Sequence, residues 1–268
     1  MAHTHIRHRV THKSAIAALA LGLSLGLVST AHALPAEATA PEARMIVKTQ
    51  TLLPADGSGL RNGRDKDGAS MRLTKYSDGS IEVTGNRLMA ADAPGTEYSY
   101  DLKKGTYKAM PAKPDETAPP AEGTATPDGG VAIAAAAGRR IHLQVRDPAG
   151  IVLAQNFNEL WWNFDFNKVW PNALAEWCNA SNPSAAGTRW FTMRCNDGRG
   201  AWLWNANTRI TNQNKGLYEN WNFGNPGLGT WAEIVHNTIT GHQNGVAELS
   251  WHFRAWGEWS GALSAKMV

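Results

Sequence analysis

Apolar and polar residues alternate with a period of two through much of the second half of the chain, the pattern of half-buried strands. Ile141, Leu143 and Val145 share one face, and Arg140, His142, Gln144 and Arg146 the other. Asp147-Pro148-Ala149-Gly150 then places Asp, Pro and Gly where a type I turn prefers them, and Ile151–Leu153 carries the return strand. Leu160, Trp162, Phe164 and Phe166 alternate with Trp161, Asn163, Asp165 and Asn167. Leu249, Trp251 and Phe253 alternate with Glu248, Ser250, His252, Arg254 and Trp256. Further strands are predicted around 188–195, 201–206, 217–223, 231–240 and 246–256, the last two joined by the loop Gly241–Gly245. Pro171–Trp177 is the one stretch predicted to make a helical turn. Seven or eight short strands with Gly- and Asn-rich turns predict an all-β domain, an antiparallel β-sandwich or small barrel.

The first half is different in texture. Met71–Tyr76 alternates, Ser77-Asp78-Gly79-Ser80 supplies a turn, and Ile81–Val83 resumes the alternation; Tyr98, Tyr100 and Leu102 alternate again. Every Trp and Phe lies between Phe157 and Trp259, so this hairpin-rich stretch has a thin core of its own. It is expected to pack on the later domain, to act as a pro-segment, or to stay partly unfolded. Residues 109–130 hold five prolines and no apolar period, as linkers do. The chain therefore divides into 1–33, a tail at 34–43, a small β module at 44–108, a Pro/Ala/Gly-rich linker at 109–138 and a Trp-rich β domain at 139–268.

Residues 1–33 read as a cleavable export signal. A basic segment is followed by the apolar run at 15–30 and then Ala31-His32-Ala33, predicting cleavage between Ala33 and Leu34. The formal net charge of +3 resides there: without Arg7, Arg9 and Lys13, 23 basic residues face 23 acidic ones. A cationic footprint for nucleic acid is thus lacking. No later apolar run is long enough for a helical membrane span. In an oxidising compartment the two cysteines, Cys178 and Cys195, are expected to pair as a structural disulfide. The expected setting is secreted or periplasmic.

Twelve Trp residues exceed what a core of this size needs. Trp161 and Trp162 are adjacent, so on a strand they must face opposite sides; with Trp162 inward, Trp161 joins Asn163 and Asp165 outside. By the same parity Arg254 and Trp256 point outward. Aromatic rings edged by amides and charges suit a sugar, whose C–H face stacks on indole while its hydroxyls find donors and acceptors. Trp161, Asn163, Asp165, Arg254 and Trp256 are therefore the candidate ligand-binding residues, for a glycan or cell-surface polymer. Asn-rich loops also serve turns, and Trp, Tyr and Arg also serve protein interfaces. Two other readings stand beside this one: a hydrolase using paired carboxylates such as Asp165 and Glu233, and a structural or interaction domain whose aromatics are core. No catalytic or metal-ligating residue is assigned and no cofactor is expected. Glu233-x-x-His236 lacks a second helical His, and His236 and His252 merely lie on successive strands. Ligand identity and oligomeric state are left open.

Overall fold

The computed structural model describes residues 44–90, 93, 95–111, 135–181, 189–195, 201–220, 229–257, 260 and 263–267. The expected signal segment and cleavage point, the 34–43 tail, most of the expected linker, Trp221 and Trp259 lie outside the described residues. Among the described residues there are fifteen strands and no α-helix. In chain order they are β1 Ile46–Thr51, β2 Leu53–Pro54, β3 Ala69–Tyr76, β4 Ile81–Met89, β5 Thr96–Asp101, β6 Thr106–Pro111, β7 Ala135–Arg146 and β8 Val152–Phe164. There follow β9 Val169–Ala180, β10 Trp190–Cys195, β11 Trp202–Trp204, β12 Arg209–Asn220, β13 Thr230–His242, β14 Ala247–Gly257 and β15 Ser264–Met267.

They form the expected sandwich of two sheets. One runs β1-β3-β4-β14-β13-β12-β10, with β11 also paired to β12; the other runs β2-β6-β5-β15-β7-β8-β9. All pairings are antiparallel except the short β2–β6 ladder. The 44–108 stretch contributes to both sheets: β4 pairs with β14 and β5 pairs with β15. Its thin apolar content is completed by the later strands. Tyr98 on β5 stacks on Trp251 of β14 with ring centroids 6.1 Å apart, and Gly85 on β4 leaves the space that Trp251 fills. A Cβ at Gly85 would lie 2.2 Å from that indole.

Period-two burial governs β8 and β14. Leu160 and Trp162 are fully buried while Trp161 and Asn163 keep partial solvent access. Leu249, Trp251 and Phe253 are buried, and Ser250, His252, Arg254 and Trp256 are half-exposed between them. Of the ten described indoles only Trp162, Trp190 and Trp251 are buried.

Three expectations fail. Pro171–Trp177 is strand, not helix: the Ala, Leu and Glu there favour helix locally, but the β8 ladder, running from Phe164↔Val169 to Ala154↔Ala180, captures their backbone groups. Phe166 does not continue the inward row of β8. The strand ends at Phe164, the chain turns at φ 67° on Phe166, and that ring is 64% exposed. Finally, the strand expected at 217–223 begins at Arg209, so the Asn-rich segment that resembles a loop is the middle of the sandwich.

Its inward positions are amides. Asn156 and Asn158 on β8, Asn212 and Asn214 on β12, and Asn237 on β13 are all fully buried. Asn158 donates to the carbonyls of Asn212 (3.1 Å) and Asn237 (2.6 Å), and Asn212 donates back to Asn158 Oδ1 at 2.7 Å. Asn237 donates to Ile141 O and Asn156 Oδ1, and Asn214 to Phe157 O and Trp177 O. Side-chain amides thus cross between sheets where aliphatic groups would ordinarily pack. The NH2 groups of this network all find acceptors, while the buried Oδ1 atoms of Asn212 and Asn237 accept no hydrogen bond within the protein. Beside it, Cys178 on β9 and Cys195 on β10 form the expected disulfide, with Cα atoms 5.6 Å apart, tying the edge strands of the two sheets.

Candidate functional site

The inward parity of β8 places Phe157, Glu159, Trp161 and Asn163 together on the outer face. Register with the neighbouring strands then builds a surface three strands wide. Phe157 is flanked by His142 on β7 and Trp177 on β9; Glu159 by Arg140 and Ala175; Trp161 by Gly138 and Ala173. Phe157 and Trp177 stack nearly parallel, their centroids 5.2 Å apart and planes 8° from parallel. His142 packs edge-on against both. The Arg140 guanidinium sits 5.2 Å over the Phe157 ring and donates to Glu159 at 2.8 Å.

Trp161 is set by two constraints. Its indole N–H donates to Glu159 at 2.7 Å, and its ring lies over Gly138, where a Cβ would come within 2.1 Å. Gly138 is thus a cross-strand socket for an indole that no side chain could share. Glu159 accepts from both Arg140 and Trp161, which fixes the centre of the face. Gln144, Gln155 and Asn179 continue it in the next row, with His142 and Gln155 3.0 Å apart. Burial lowers the pKa of His142, so the imidazole remains neutral near neutral pH and can donate or accept. The surface therefore offers aromatic faces and neutral polar edges in rows set by the strand rise.

The five sequence-derived candidates divide between two faces. Trp161 and Asn163 belong to the surface just described. Asp165 follows β8 in a turn, accepting from the backbone N–H groups of Asn167 and Lys168; these bonds hold its pKa below the ordinary carboxylate value. It shapes the turn. Arg254 and Trp256 lie on the outer face of the opposite sheet, so one ligand cannot touch all five. There Trp256 stacks on its cross-strand partner Trp231, centroids 6.0 Å apart and planes 6° from parallel, with Arg254 5.0 Å over Trp256. Glu233 binds both Arg254 and Arg194, the latter at 3.4 Å. Asp165 and Glu233, named as a possible acid pair, are on opposite sheets and do not converge.

His236 and His252 do meet, as cross-strand partners 5.7 Å apart. The carboxylate beside His252 is Glu82 of β4, 3.6 Å away. Among the described residues no three His, Cys, Asp or Glu side chains are grouped to hold a metal ion. Two hollows, of about 290 and 400 Å³, lie around β6 and do not adjoin the aromatic surface.

Sequence reasoning missed Phe157, Glu159, Trp177, His142 and Arg140. The signal was present. Extending the parity of Trp162 backwards places Asn158 and Asn156 inside and Phe157 and Glu159 outside; what hid it is that Asn is read as a turn former. Trp177 was obscured by the helical reading of its strand. Comparison with known proteins brings no match: no family model fits the chain, and no curated protein or solved structure is similar to it.

Proposed function

We propose that the protein is an exported binding protein and that the outer face of β7, β8 and β9 recognises a glycan or glycan-bearing cell-surface polymer. The observation that carries this reading is the Phe157–Trp177 stack beside Trp161, separated by the Arg140–Glu159 pair. Rings four residues apart on one strand face are about 13 Å apart by strand rise, so an extended polymer could engage both while its hydroxyls meet Glu159, Arg140, Gln155 and His142. An open sheet face suits a chain molecule better than a compact metabolite, which favours enclosed pockets. The apolar N-terminal run and the Cys178–Cys195 disulfide support export to an oxidising compartment. A glycan array followed by Trp-emission titration tests the reading. Wild-type protein is expected to bind a polysaccharide with an emission shift, and Trp161→Ala and Trp177→Ala to lose that binding with far-UV circular dichroism unchanged. A flat titration across diverse glycans, or unimpaired binding by both variants, refutes it.

A further inference from the structure

The opposite sheet carries the constellation of the β7–β9 face a second time. On β8 Phe157 and Glu159 stand two residues apart and point outward; on β13 Trp231 and Glu233 do the same. Each Glu accepts from its cross-strand partner, Glu159 from Arg140 and Glu233 from Arg254. Each Arg lies over an aromatic ring, Arg140 over Phe157 and Arg254 over Trp256. Those rings in turn stack nearly parallel on a cross-strand indole, Phe157 on Trp177 and Trp256 on Trp231. A glycine seats an indole on both faces as well. Gly138 receives Trp161, and a Cβ at Gly229 would come within 2.7 Å of the Trp231 ring. Outward parity requires only side chains that water can solvate; it does not call for stacked rings clamped by an Arg–Glu pair on both outer surfaces.

Register extends this second face in rows. Glu219, Trp231 and Trp256 form one row, Glu233, Arg254 and Glu82 the next, and His236, His252 and Thr84 the third. On β14 the first and third rows are four residues apart, about 13 Å by strand rise, the same spacing that separates Phe157 from Trp161 on β8. Burial lowers the pKa of both imidazoles, that of His236 to about 4, so at neutral pH they are uncharged and can donate or accept.

Charge favours a neutral ligand here. Between the Trp row and the His row the outward charged groups of β4, β12, β13 and β14 are Glu82, Glu219, Glu233, Lys215 and Arg254, and Arg194 reaches Glu233 from β10. Three acids offset three bases, so no net sign draws in a polyanion or a polycation. What the face offers is ring surface beside hydrogen-bonding edges, the chemistry that suits a sugar on the first face. Trp231 and Trp256 are both half-buried, whereas Trp177 is 39% exposed, so less ring is presented on this side.

We propose that the outer face of β13 and β14 is a second, weaker glycan-binding face, and that the protein joins two polymer chains, one on each side of the sandwich. The inference rests on the glycan reading of the β7–β9 face. The two sheets of a sandwich pack about 10 Å apart with their outer surfaces turned away from each other, so one extended chain cannot lie on both. The test is clumping of chitin, cellulose and peptidoglycan particles, read by light scattering beside a pull-down on the same particles. Wild-type protein is expected to be retained on at least one of the three and to clump it. The double variant Trp231→Ala, Trp256→Ala should be retained as wild type is but need on the order of tenfold more protein to clump the particles, or fail to clump them. Trp161→Ala should lose retention and clumping together. If the double variant has an altered far-UV circular dichroism spectrum, Trp256→Ala alone, which leaves Trp231 over Gly229, is expected to give the same separation of retention from clumping. Retention of the wild type without clumping, or clumping by these variants at wild-type concentrations, overturns the second face and leaves the first intact. A wild-type dimer in sedimentation equilibrium that the double variant dissolves also overturns it, because a second copy would then cover the Trp pair. Retention on none of the three particles overturns both readings.

Discussion

Adjacent residues of the same type should differ sharply when each is truncated. Trp162 is fully buried; its N–H donates to the His242 carbonyl at 3.2 Å, and its ring fills the space over Gly241, where a Cβ would come within 2.4 Å. Trp162→Ala removes a core indole, a loss of about 3–5 kcal/mol, and the hydrogen bond adds about 1 kcal/mol. Trp161 is only half-buried and loses its contact over Gly138 and its bond to Glu159, worth together about 1 kcal/mol as a cross-strand pair near the surface. The difference of about 3 kcal/mol is a large share of a domain's stability of roughly 5–15 kcal/mol. Equilibrium urea denaturation followed by far-UV circular dichroism measures it without relying on the deleted fluorophore. Trp162→Ala should lower the midpoint by a molar unit or more, at a typical slope of about 1–3 kcal/mol per molar, while Trp161→Ala leaves it nearly in place. Equal shifts for the two would refute the opposed-face placement on which the proposed binding surface rests.

Asn158→Ala should destabilise by about 3–5 kcal/mol, because it removes the acceptor of one Asn212 N–H and the donor to two buried carbonyls; a denaturation midpoint within error of wild type would show that the network is dispensable. Replacing Cys178 and Cys195 together by Ala should cost about 3 kcal/mol for a loop with a sequence separation of 17, and reductant should lower the wild-type midpoint equally while leaving the variant's unmoved. Acid should weaken the fold through His236, whose pKa is pushed down to about 4 by burial and by His252 and Lys215. The unfolded chain takes up that proton near pH 6.5 and the folded chain does not, so stability is complete above pH 6.5, falls as pH drops towards 4 and then levels off. The loss is on the order of 2–3 kcal/mol. His236→Gln should flatten the fall in urea midpoint between pH 7 and pH 4.5; an unchanged pH profile would remove His236 as its source.

Several features were legible before any coordinates. The alternation around Trp162 and Trp251 assigns strand and face because successive side chains on an extended backbone must point oppositely. Two cysteines leave only one intramolecular pairing. The Asp147–Gly150 turn follows from conformational preferences held within four residues, and the structure has Asp147 accepting from both Gly150 and Ile151 there.

Partnership across the fold could not be read along the chain. Helix-favouring residues 171–177 became strand because β8 offered a hydrogen-bonding ladder along them, a gain invisible in local propensity. Asn212 and Asn214 moved from expected loop to core because their amides find carbonyls on strands more than 50 residues away in sequence, such as Phe157 and Glu159. Likewise Trp161 and Trp256, which share an outward parity, came to lie on opposite faces of the sandwich. Parity distinguishes the inside of a sheet from the outside, but which sheet a strand joins depends on long-range packing of side chains whose separation in sequence carries no periodic trace.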